Sequence, residues 1–520
     1  MSGIDSRATF GKIARIGHNR PVRHTPRLRW YHGALLLLLL LIGSMIRWHA
    51  IGRIGLWMDE YWALYLSTGR GDQAFNLPTQ VILSPAPDVG FAGAPSWWHI
   101  WTGLDSVLHP PLYYLILRGW VDAFGQADVT IRLLSLILDL AAIALLFDTV
   151  RLTNSPWTAL VAAGLMVFAP VQIDYSQQAR PYTLLAVATL IVFNLLRRIE
   201  IYGVSPRKIF GLAIVSFLAA LTHYLAIGVI IGGIAYAWIA FPSPARWRAI
   251  FAMLAGLAVF TIAWAPFFWH SRPAASTGVG YMITTRRELL LAILDIPLRL
   301  LFGRILQMTW LAASALFILV LIGPLFRKQD LIWWFWIVGS ISLVLIADIH
   351  RHSVLMRLDK YVLPAAPAVY ALLAGSVGGR IGWLVPVGIL FCTICFGVAR
   401  VQQGPDFEPE STMQLEDHRH SAQILRASAK PGDVVVILGE FPMESAFNYF
   451  LLGHYAGDLH MRVVLLNTPI GPNLKQQLLS SHRVWVVGHD VNHDSRTLLP
   501  GCPVIDVGGF STFDSVWRMK

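Results

Sequence analysis

Long apolar runs recur along the chain from residue 33 to residue 400. Several of them approach the ~20 residues that an α-helix needs to cross the hydrocarbon core of a bilayer. Only 14% of the 520 residues are charged, which is well below the roughly 25% usual in soluble domains. The sequence therefore predicts an α-helical, polytopic membrane protein.

Basic residues fix the predicted orientation, because positive charge favours the cytoplasmic side of a membrane. The residues before the first apolar run are strongly basic. If the first span covers 32–51 and a long external loop covers 52–128, the downstream basic clusters also fall inside. This arrangement predicts about eleven spans, at 32–51, 129–150, 157–175, 181–197, 208–222, 224–241, 249–269, 303–326, 331–348, 361–378 and 381–400.

The net charge of +11 does not indicate nucleic-acid binding, since much of the basic excess precedes the first span and reports topology. We predict a basic cytoplasmic N-terminus at 1–31, a membrane domain at 32–400 and a location in the bacterial inner membrane. Residues 401–520 are polar and mixed, with alternating helical and strand-like patterns. They predict a small α/β soluble domain on the periplasmic side.

The loop at 52–128 holds aromatic and apolar pieces that are too brief or too charged for spans: EYWALYL, SWWHIWTGL and PLYYLILRGWVDAF. Trp and Tyr favour the headgroup region of a bilayer, so these pieces predict interfacial helices. The segment 286–302 carries scattered charges on an apolar background. It predicts another interfacial helix on the same side.

Five polar motifs come out on one face of the predicted topology: MDEYW, LHPPLYY, DYSQQARPY, LTHYLAI and RLDKYVLP. Asp59 and Glu60 of the first motif stand just past the first span. One explanation is structural, because Asp is a favoured N-cap and acidic residues stabilise the start of a helix. The other is catalytic, because a carboxylate at this position can act as a general base.

The external Asp-Glu pair, together with HPPLYYLILRGW, RLLS and QARPYTLL, resembles the GT-C membrane glycosyltransferases. Within them, the chain is similar to bacterial relatives of the dolichyl-phosphate-mannose protein mannosyltransferases, including the RgtA/B/C/D-like and aminoarabinose transferase groups. The resemblance covers approximately residues 30–400. It implies a GT-C fold and the transfer of a sugar from a polyprenyl-phosphate carrier at the outer face of the membrane.

The resemblance also implies roles for residues. Asp59 would be the general base of a reaction that inverts the anomeric carbon. Glu60, the other acid of the catalytic pair, points about 100° away on a helix, so we expect it to support Asp59 or to contact sugar hydroxyls. Arg180 is the first candidate for the carrier phosphate, because a guanidinium can form a bidentate pair with it. The other substrate-binding candidates are His109, Tyr113, Tyr182, His223, Arg357 and Lys360.

Most of these binding candidates also have a structural explanation. Arg180, Arg357 and Lys360 could contact lipid headgroups, and Tyr113 could anchor the chain at the interface. His109 stands before two prolines that could form only a hinge. These alternatives stay open from the sequence alone.

The predicted function is a polyprenyl-phosphate-sugar-dependent glycosyltransferase of the cell envelope. Its predicted partners are a lipid-linked sugar donor, the bilayer and an acceptor that is a lipopolysaccharide, a polysaccharide, a glycolipid or a protein. No metal ligand is predicted; the cofactor is unknown, and the use of a divalent metal stays open.

Asp139 supports a competing function. It lies near the middle of an apolar span, where a carboxylate is costly and suggests a functional site. It would suit a transporter or flippase of a lipid-linked sugar, although a hydrogen bond to a neighbouring helix also explains it. A third alternative is a non-catalytic protein whose external domain binds envelope glycans.

Overall fold

The computed structural model describes residues 27–71, 77–84, 90–104, 109–277, 285–303, 327–376, 382–403, 418–439, 442–457, 461–467, 469–488, 505–511 and 514–518. The described chain is mostly helical, and its C-terminal part forms a mixed β-sheet. The structure confirms the prediction of a mostly helical protein with several long apolar helices.

The region up to residue 403 holds helices α1 to α16 and one short strand, β1. Their bounds are α1 Trp30–Ala50, α2 Met58–Leu66, β1 Ile82–Leu83, α3 His99–Thr102, α4 Leu112–Phe124, α5 Asp128–Thr153, α6 Pro156–Phe168, α7 Pro170–Ser176, α8 Tyr182–Tyr202, α9 Pro206–Thr222, α10 Leu225–Ala240, α11 Ser243–Thr277, α12 Arg286–Phe302, α13 Leu331–Arg351, α14 Asp359–Val362, α15 Ala366–Gly375 and α16 Leu384–Gln403. Short 3-10 turns lie at Lys328–Asp330, Leu355–Arg357 and Leu363–Ala365.

Five described helices, α1, α5, α11, α13 and α16, are long and apolar enough to cross a membrane, and the bent pair α6 and α7 gives a sixth if it is one span. Large apolar side chains stay exposed on them, for example Leu37, Ile262 and Phe391. Exposed apolar side chains on helices of this length and composition are expected where the helices contact lipid or protein. The count of about eleven spans stays a prediction, and all but the first residue of the predicted span 303–326 lies outside the described residues.

The predicted span at 157–175 is bent by 63° between α6 and α7. Pro170 begins α7 at the bend, and proline both lacks an N–H and clashes with the preceding turn of a helix. Arg47 of α1 donates to the carbonyl oxygens of Met166 and Val167 beside the bend, at 3.2 and 3.0 Å. The carbonyl groups at the break therefore have partners, as a broken helix needs inside a membrane.

The predicted span at 361–378 is also not one continuous helix. The short α14 helix ends at Val362, a 3-10 turn follows, and α15 begins at Ala366. Pro364 and Pro367 cannot donate backbone hydrogen bonds, which explains why the first turns do not join into one α-helix. As a result, Lys360 stands on a separate helical turn at the start of this segment.

The described residues of the C-terminal region form three helices and five strands of the sheet: α17 His418–Ser428, β2 Val434–Leu438, α18 Pro442–Ala456, β3 Arg462–Leu466, α19 Pro472–Ser480, β4 Val484–Val487, β5 Ile505–Ser511 and β6 Asp514–Arg518. The strand order is β1-β3-β2-β4-β6-β5. Strands β3, β2 and β4 are parallel, whereas the outer pairs are antiparallel. The division of the chain into domains at residue 401 stays a prediction.

The first loop is joined to this sheet. Strand β1 pairs antiparallel with β3, with Ile82 opposite Val464. Gln80 donates to the carbonyl oxygen of Pro469 at 2.9 Å and accepts from the backbone N–H of Gly471 at 3.1 Å. The loop and the C-terminal region therefore pack as neighbours.

Helix α2 differs from the predicted interfacial helix, because seven of its nine residues are buried. Helix α18 covers it, and the ring of Phe450 lies 6.4 Å from that of Tyr61 and 5.0 Å from that of Tyr65. These aromatic residues, which resemble interface anchors in the sequence, pack against protein. A single sequence does not reveal a cover that comes from almost 400 residues further along the chain.

Candidate active site

Asp59 lies in the first turn of α2, which begins at Met58 after the N-cap residue Trp57. Asp59 is therefore not the N-cap. The backbone N–H of Trp57 is instead 3.4 Å from Glu60 Oε2. The capping explanation applies to Glu60, and the Asp59 side chain, which is 11% exposed, remains directed to other partners.

Two cations contact Asp59. Arg180, in the turn between α7 and α8, places one guanidinium nitrogen 3.1 Å from Asp59 Oδ2 and donates with another to the Asp59 carbonyl oxygen at 3.0 Å. Lys360 Nζ lies 3.6 Å from the same Oδ2. Residues from three distant parts of the chain therefore form one charge cluster, defined here as Asp59, Arg180 and Lys360.

The pKa of Asp59 follows from two opposing effects. Burial raises the pKa of the carboxyl, but the charges of Arg180 and Lys360 lower it, and the result lies below the ordinary value of an aspartate. A carboxylate beside two cations in a water-poor site stays ionised. In this state the Asp59 carboxylate accepts hydrogen bonds as an anion and is a weak base.

Glu60 is completely buried and is held by Arg132 of α5. The guanidinium donates to both carboxylate oxygens, at 2.8 and 2.6 Å. The backbone N–H of Ala179, next to Arg180, also donates to Glu60 Oε1 at 2.9 Å. Glu60 therefore ties α2 to α5 and to the turn that carries Arg180.

Two histidines and two aromatic residues lie beside the charge cluster. The rings of His109 and His223 are 5.6 Å apart, and His223 is 5.8 Å from the ring of Tyr182. Trp62 of α2 lies 6.2 Å from His109. Burial and the nearby charge of Arg180 lower the pKa of His109 to about 3, so this imidazole is neutral near pH 7.

Several buried polar atoms near the cluster have no hydrogen-bond partner among the described residues: His109 Nδ1, Tyr114 OH, Gln178 Nε2 and Thr183 Oγ1. Tyr113 is fully buried beside Tyr114, with the two rings 5.9 Å apart. A buried polar group without a partner costs about 1–3 kcal/mol. Such a concentration is expected where a polar ligand supplies the missing partners.

The turn that precedes Lys360 is fixed by two residues outside the predicted site, Arg299 and Asp348. Arg299 of α12 donates to Asp359 Oδ1 at 2.8 Å and to the carbonyl oxygen of Arg357 at 2.6 Å. Asp348, near the end of α13, accepts from the backbone N–H of Leu355 at 2.7 Å. The side chain of Arg357 is exposed, whereas Lys360 points to Asp59.

A small pocket adjoins the charge cluster at Tyr182, whose ring lies 5.8 Å from the guanidinium carbon of Arg180. Its lining is mostly apolar and includes Leu185, Ala186, Leu363 and Pro367. An apolar lining beside a group of charges matches the chemistry of a ligand with a polar end and a hydrocarbon end.

Asp139, the residue behind the transporter alternative, has a partner. Arg47 Nε donates to Asp139 Oδ2 at 2.7 Å, and both side chains are almost completely buried. Because Arg47 also binds the carbonyls beside the α6–α7 bend, the pair has a structural explanation. The hydrogen bond to a neighbouring helix, considered from the sequence, is confirmed.

No group of three or more His, Cys, Asp or Glu side chains gathers as metal ligands among the described residues. Asp174 of α7, near the motif that ends in Arg180, is bound to Arg400 of α16 at 2.9 Å.

Comparisons with known proteins bear on the same region. Residues 108–270 match the family described as dolichyl-phosphate-mannose-protein mannosyltransferase. This range includes His109, Arg132, Arg180 and His223. Among curated proteins, none matches the chain.

Solved structures resemble nearly the whole chain. ArnT from Cupriavidus metallidurans in the apo state is 12% identical with a TM-score of 0.58, covering 94% of this chain and 98% of that one. The same protein bound to undecaprenyl phosphate is 11% identical with a TM-score of 0.53 and the same coverage. The oligosaccharyltransferase of Archaeoglobus fulgidus, in complex with Zn and sulfate, is 13% identical with a TM-score of 0.50, covering 87% of this chain and 68% of that one. The chain thus has a fold similar to that of ArnT, and the match of residues 108–270 to the mannosyltransferase family agrees with the resemblance of its motifs.

Proposed function

We propose that the protein is an inverting glycosyltransferase that moves a sugar from a polyprenyl-phosphate carrier to a hydroxyl group of the cell envelope. The acceptor is a lipopolysaccharide, a polysaccharide, a glycolipid or a protein. The reaction takes place on the periplasmic face of the bacterial inner membrane. That face has no supply of nucleotide sugars, so a lipid carrier is a suitable donor.

The charge cluster beside the apolar pocket is the observation that carries this proposal. One carboxylate, Asp59, faces the two cations Arg180 and Lys360, so the cluster has net positive charge and attracts an anion. The pocket beside Tyr182 is lined mostly by apolar residues, which is the surface that a hydrocarbon chain needs. A lipid phosphate combines both features, and the ArnT structure with undecaprenyl phosphate supports this ligand class.

The reaction is a single displacement. Asp59 takes the proton of the acceptor hydroxyl while the oxygen of that hydroxyl attacks the anomeric carbon. The bond from that carbon to the phosphate oxygen breaks, and its electron pair stays on the phosphate, where Arg180 and Lys360 stabilise the charge. His109 and His223 would then line the sugar site.

Binding of the donor also changes Asp59. The carrier phosphate competes with Asp59 for Arg180 and Lys360, which lower the pKa of the free carboxyl. When the cations turn to the phosphate, the carboxylate loses their stabilisation and its pKa rises. Asp59 therefore becomes a stronger base once the donor is bound.

We expect Arg180→Lys to weaken binding of undecaprenyl phosphate about 10- to 100-fold, because Lys cannot provide the two-pronged contact of a guanidinium. A lost charge-assisted hydrogen bond costs about 1.5–3 kcal/mol. The affinity of the purified full-length protein in nanodiscs, measured by titration with undecaprenyl phosphate, checks this expectation.

The matched control is Arg287→Lys, because Arg287 is an exposed arginine in the first turn of α12. It should bind the carrier as the unchanged protein does. Equal weakening by both substitutions would indicate nonspecific charge attraction. Unchanged affinity of Arg180→Lys would remove Arg180 from the phosphate site.

The pH dependence of transfer reports the pKa of Asp59 in two states, because kcat/KM reflects the free enzyme and kcat reflects the donor complex. Because the pKa of Asp59 lies below its ordinary value, kcat/KM for the carrier should show no acid limb from Asp59 between about pH 5 and 8. The acid limb of kcat should lie at higher pH than that of kcat/KM, since the bound phosphate raises the pKa of Asp59. Initial rates of sugar transfer across this pH range test the expectation, and an acid limb that disappears in His109→Gln would make His109 the base.

A further inference from the structure

The linker 51–56 joins α1 to the helix that carries Asp59, and its backbone is held from two sides. From the membrane helices, Arg132 of α5 donates to three of its carbonyl oxygens at 2.8 to 2.9 Å, those of Ile51, Ile54 and Gly55. The same guanidinium binds Glu60. One buried arginine thus fixes both the linker and the start of α2.

The C-terminal region binds the two linker carbonyls that lie between those bound by Arg132. Arg419 of α17 donates to the carbonyl oxygens of Gly52 and Arg53, at 3.3 and 3.0 Å. Its guanidinium also lies 3.7 Å from Asp128, the first residue of α5. The carbonyls of five successive linker residues therefore accept hydrogen bonds from two arginines that lie almost 300 residues apart in sequence.

Tyr455, at the end of α18, completes this contact. Its hydroxyl accepts from the backbone N–H of Leu56 at 2.6 Å and donates to Asp128 Oδ2 at 3.0 Å. His454 Nε2 lies 3.8 Å from the other oxygen of Asp128. A single hydroxyl therefore connects the last linker residue to the start of α5, one helical turn before Arg132.

We propose that Tyr455 and Arg419 are positioning residues, through which the C-terminal region holds the 51–56 linker and so fixes the place of Asp59. A displacement of about 1 Å at a reacting group can lower a rate about 100-fold, so a linker this close to Asp59 has to be held firmly. The effect on catalysis rests on the proposed function, whereas the contact with the linker does not.

The test compares Tyr455→Phe and Arg419→Gln with Arg426→Gln in the full-length protein. Arg426 stands on the same helix as Arg419, but its Nε donates to the carbonyl oxygen of Ala456 within the C-terminal region. Hydrogen exchange of the peptides covering 51–66 reports local opening without any substrate. Transfer kinetics with a polyprenyl-phosphate sugar give kcat and KM.

We expect the backbone amide hydrogens of the linker to exchange about tenfold faster in Tyr455→Phe and in Arg419→Gln. Each substitution removes hydrogen bonding to the backbone of the linker. Their kcat should fall about tenfold or more, with KM for the carrier changed less than about twofold, since Arg180 and Lys360 are kept. Arg426→Gln should change neither quantity.

Unchanged exchange at 51–66 overturns the proposal whatever the activity. Faster exchange with normal kcat contradicts the positioning role, and equal effects of all three substitutions indicate general destabilisation instead. Absence of transfer by the unchanged protein with every carrier tested would count against the proposed function, while the exchange result still decides whether the C-terminal region holds the linker.

Discussion

Replacing Asp59 with Asn is expected to lower the rate of sugar transfer by about 10²- to 10⁴-fold, the usual contribution of a general base. Asn keeps the size of the side chain and a carbonyl oxygen that can accept from Arg180, so the fold around α2 should persist. It cannot take a proton from the acceptor. Single-turnover transfer from a polyprenyl-phosphate sugar measures the loss.

Asp122→Asn is the matched control, because Asp122 of α4 belongs to the same loop but is exposed and pairs only at the surface with Arg118. Its transfer rate should stay within about twofold of normal. Asp59→Asn should still bind undecaprenyl phosphate, and more tightly than before, since removal of the carboxylate charge leaves Arg180 and Lys360 to the phosphate. Full transfer activity of Asp59→Asn would show that another group is the base.

Local patterns in the sequence predict the parts of this fold that local forces determine. The apolar runs predict helices, and VVVIL at 434–438 predicts a buried strand, as β2 is. Pro170 is a local signal for the bend at Ala169–Pro170, but the carbonyl groups beside the bend are bound by Arg47, which is more than 110 residues away. The cover of α2 by α18 involves an even longer separation, so neither of these two contacts could be predicted from a window of sequence.

The site shows the same division. Asp59, Arg180 and Lys360 stand in short polar motifs at helix ends, and the structure brings these three together. Arg132 stands in the RLLS motif that supports the family resemblance, but only its contact with Glu60 reveals what it does. Glu60, adjacent to Asp59 in sequence, proves to contact a different partner, because successive helical residues point about 100° apart.

The interactions that position the turn before Lys360 could not be predicted from the sequence. Arg299 lies in a helix with scattered charges, a composition that favours an interfacial helix. In the structure its side chain is only 6% exposed and holds the turn before Lys360. A charge in an amphipathic segment can face either lipid headgroups or a protein loop, and only the packing of α12 decides which.

Asp139→Ala is expected to destabilise the protein by about 3–5 kcal/mol, because it leaves the buried Arg47 without its counter-charge. Arg47 and Asp139 are 0% and 1% exposed and lie 2.7 Å apart. Equilibrium unfolding of the detergent-solubilised protein, compared with the unchanged chain, measures this loss. The protein that remains folded should transfer sugar at nearly the normal rate, because the pair lies outside the charge cluster.

The double substitution Arg47→Met with Asp139→Leu tests the explanation further. Removing both charges avoids an isolated buried ion, so part of the stability should return. The return should stay incomplete by about 1–3 kcal/mol, because the carbonyls of Met166 and Val167 lose their donor at the bend.

Asp148→Ala on the same helix is the control for Asp139, because Asp148 is 24% exposed and its pairs with Arg151 and Arg198 lie nearer to solvent. It should cost about 1 kcal/mol or less. The transporter alternative makes the opposite prediction, namely that loss of Asp139 abolishes function while the fold stays stable. A stable Asp139→Ala protein without activity would therefore favour a transporter, whereas an unstable protein with normal turnover assigns Arg47 and Asp139 to the architecture of the broken helix.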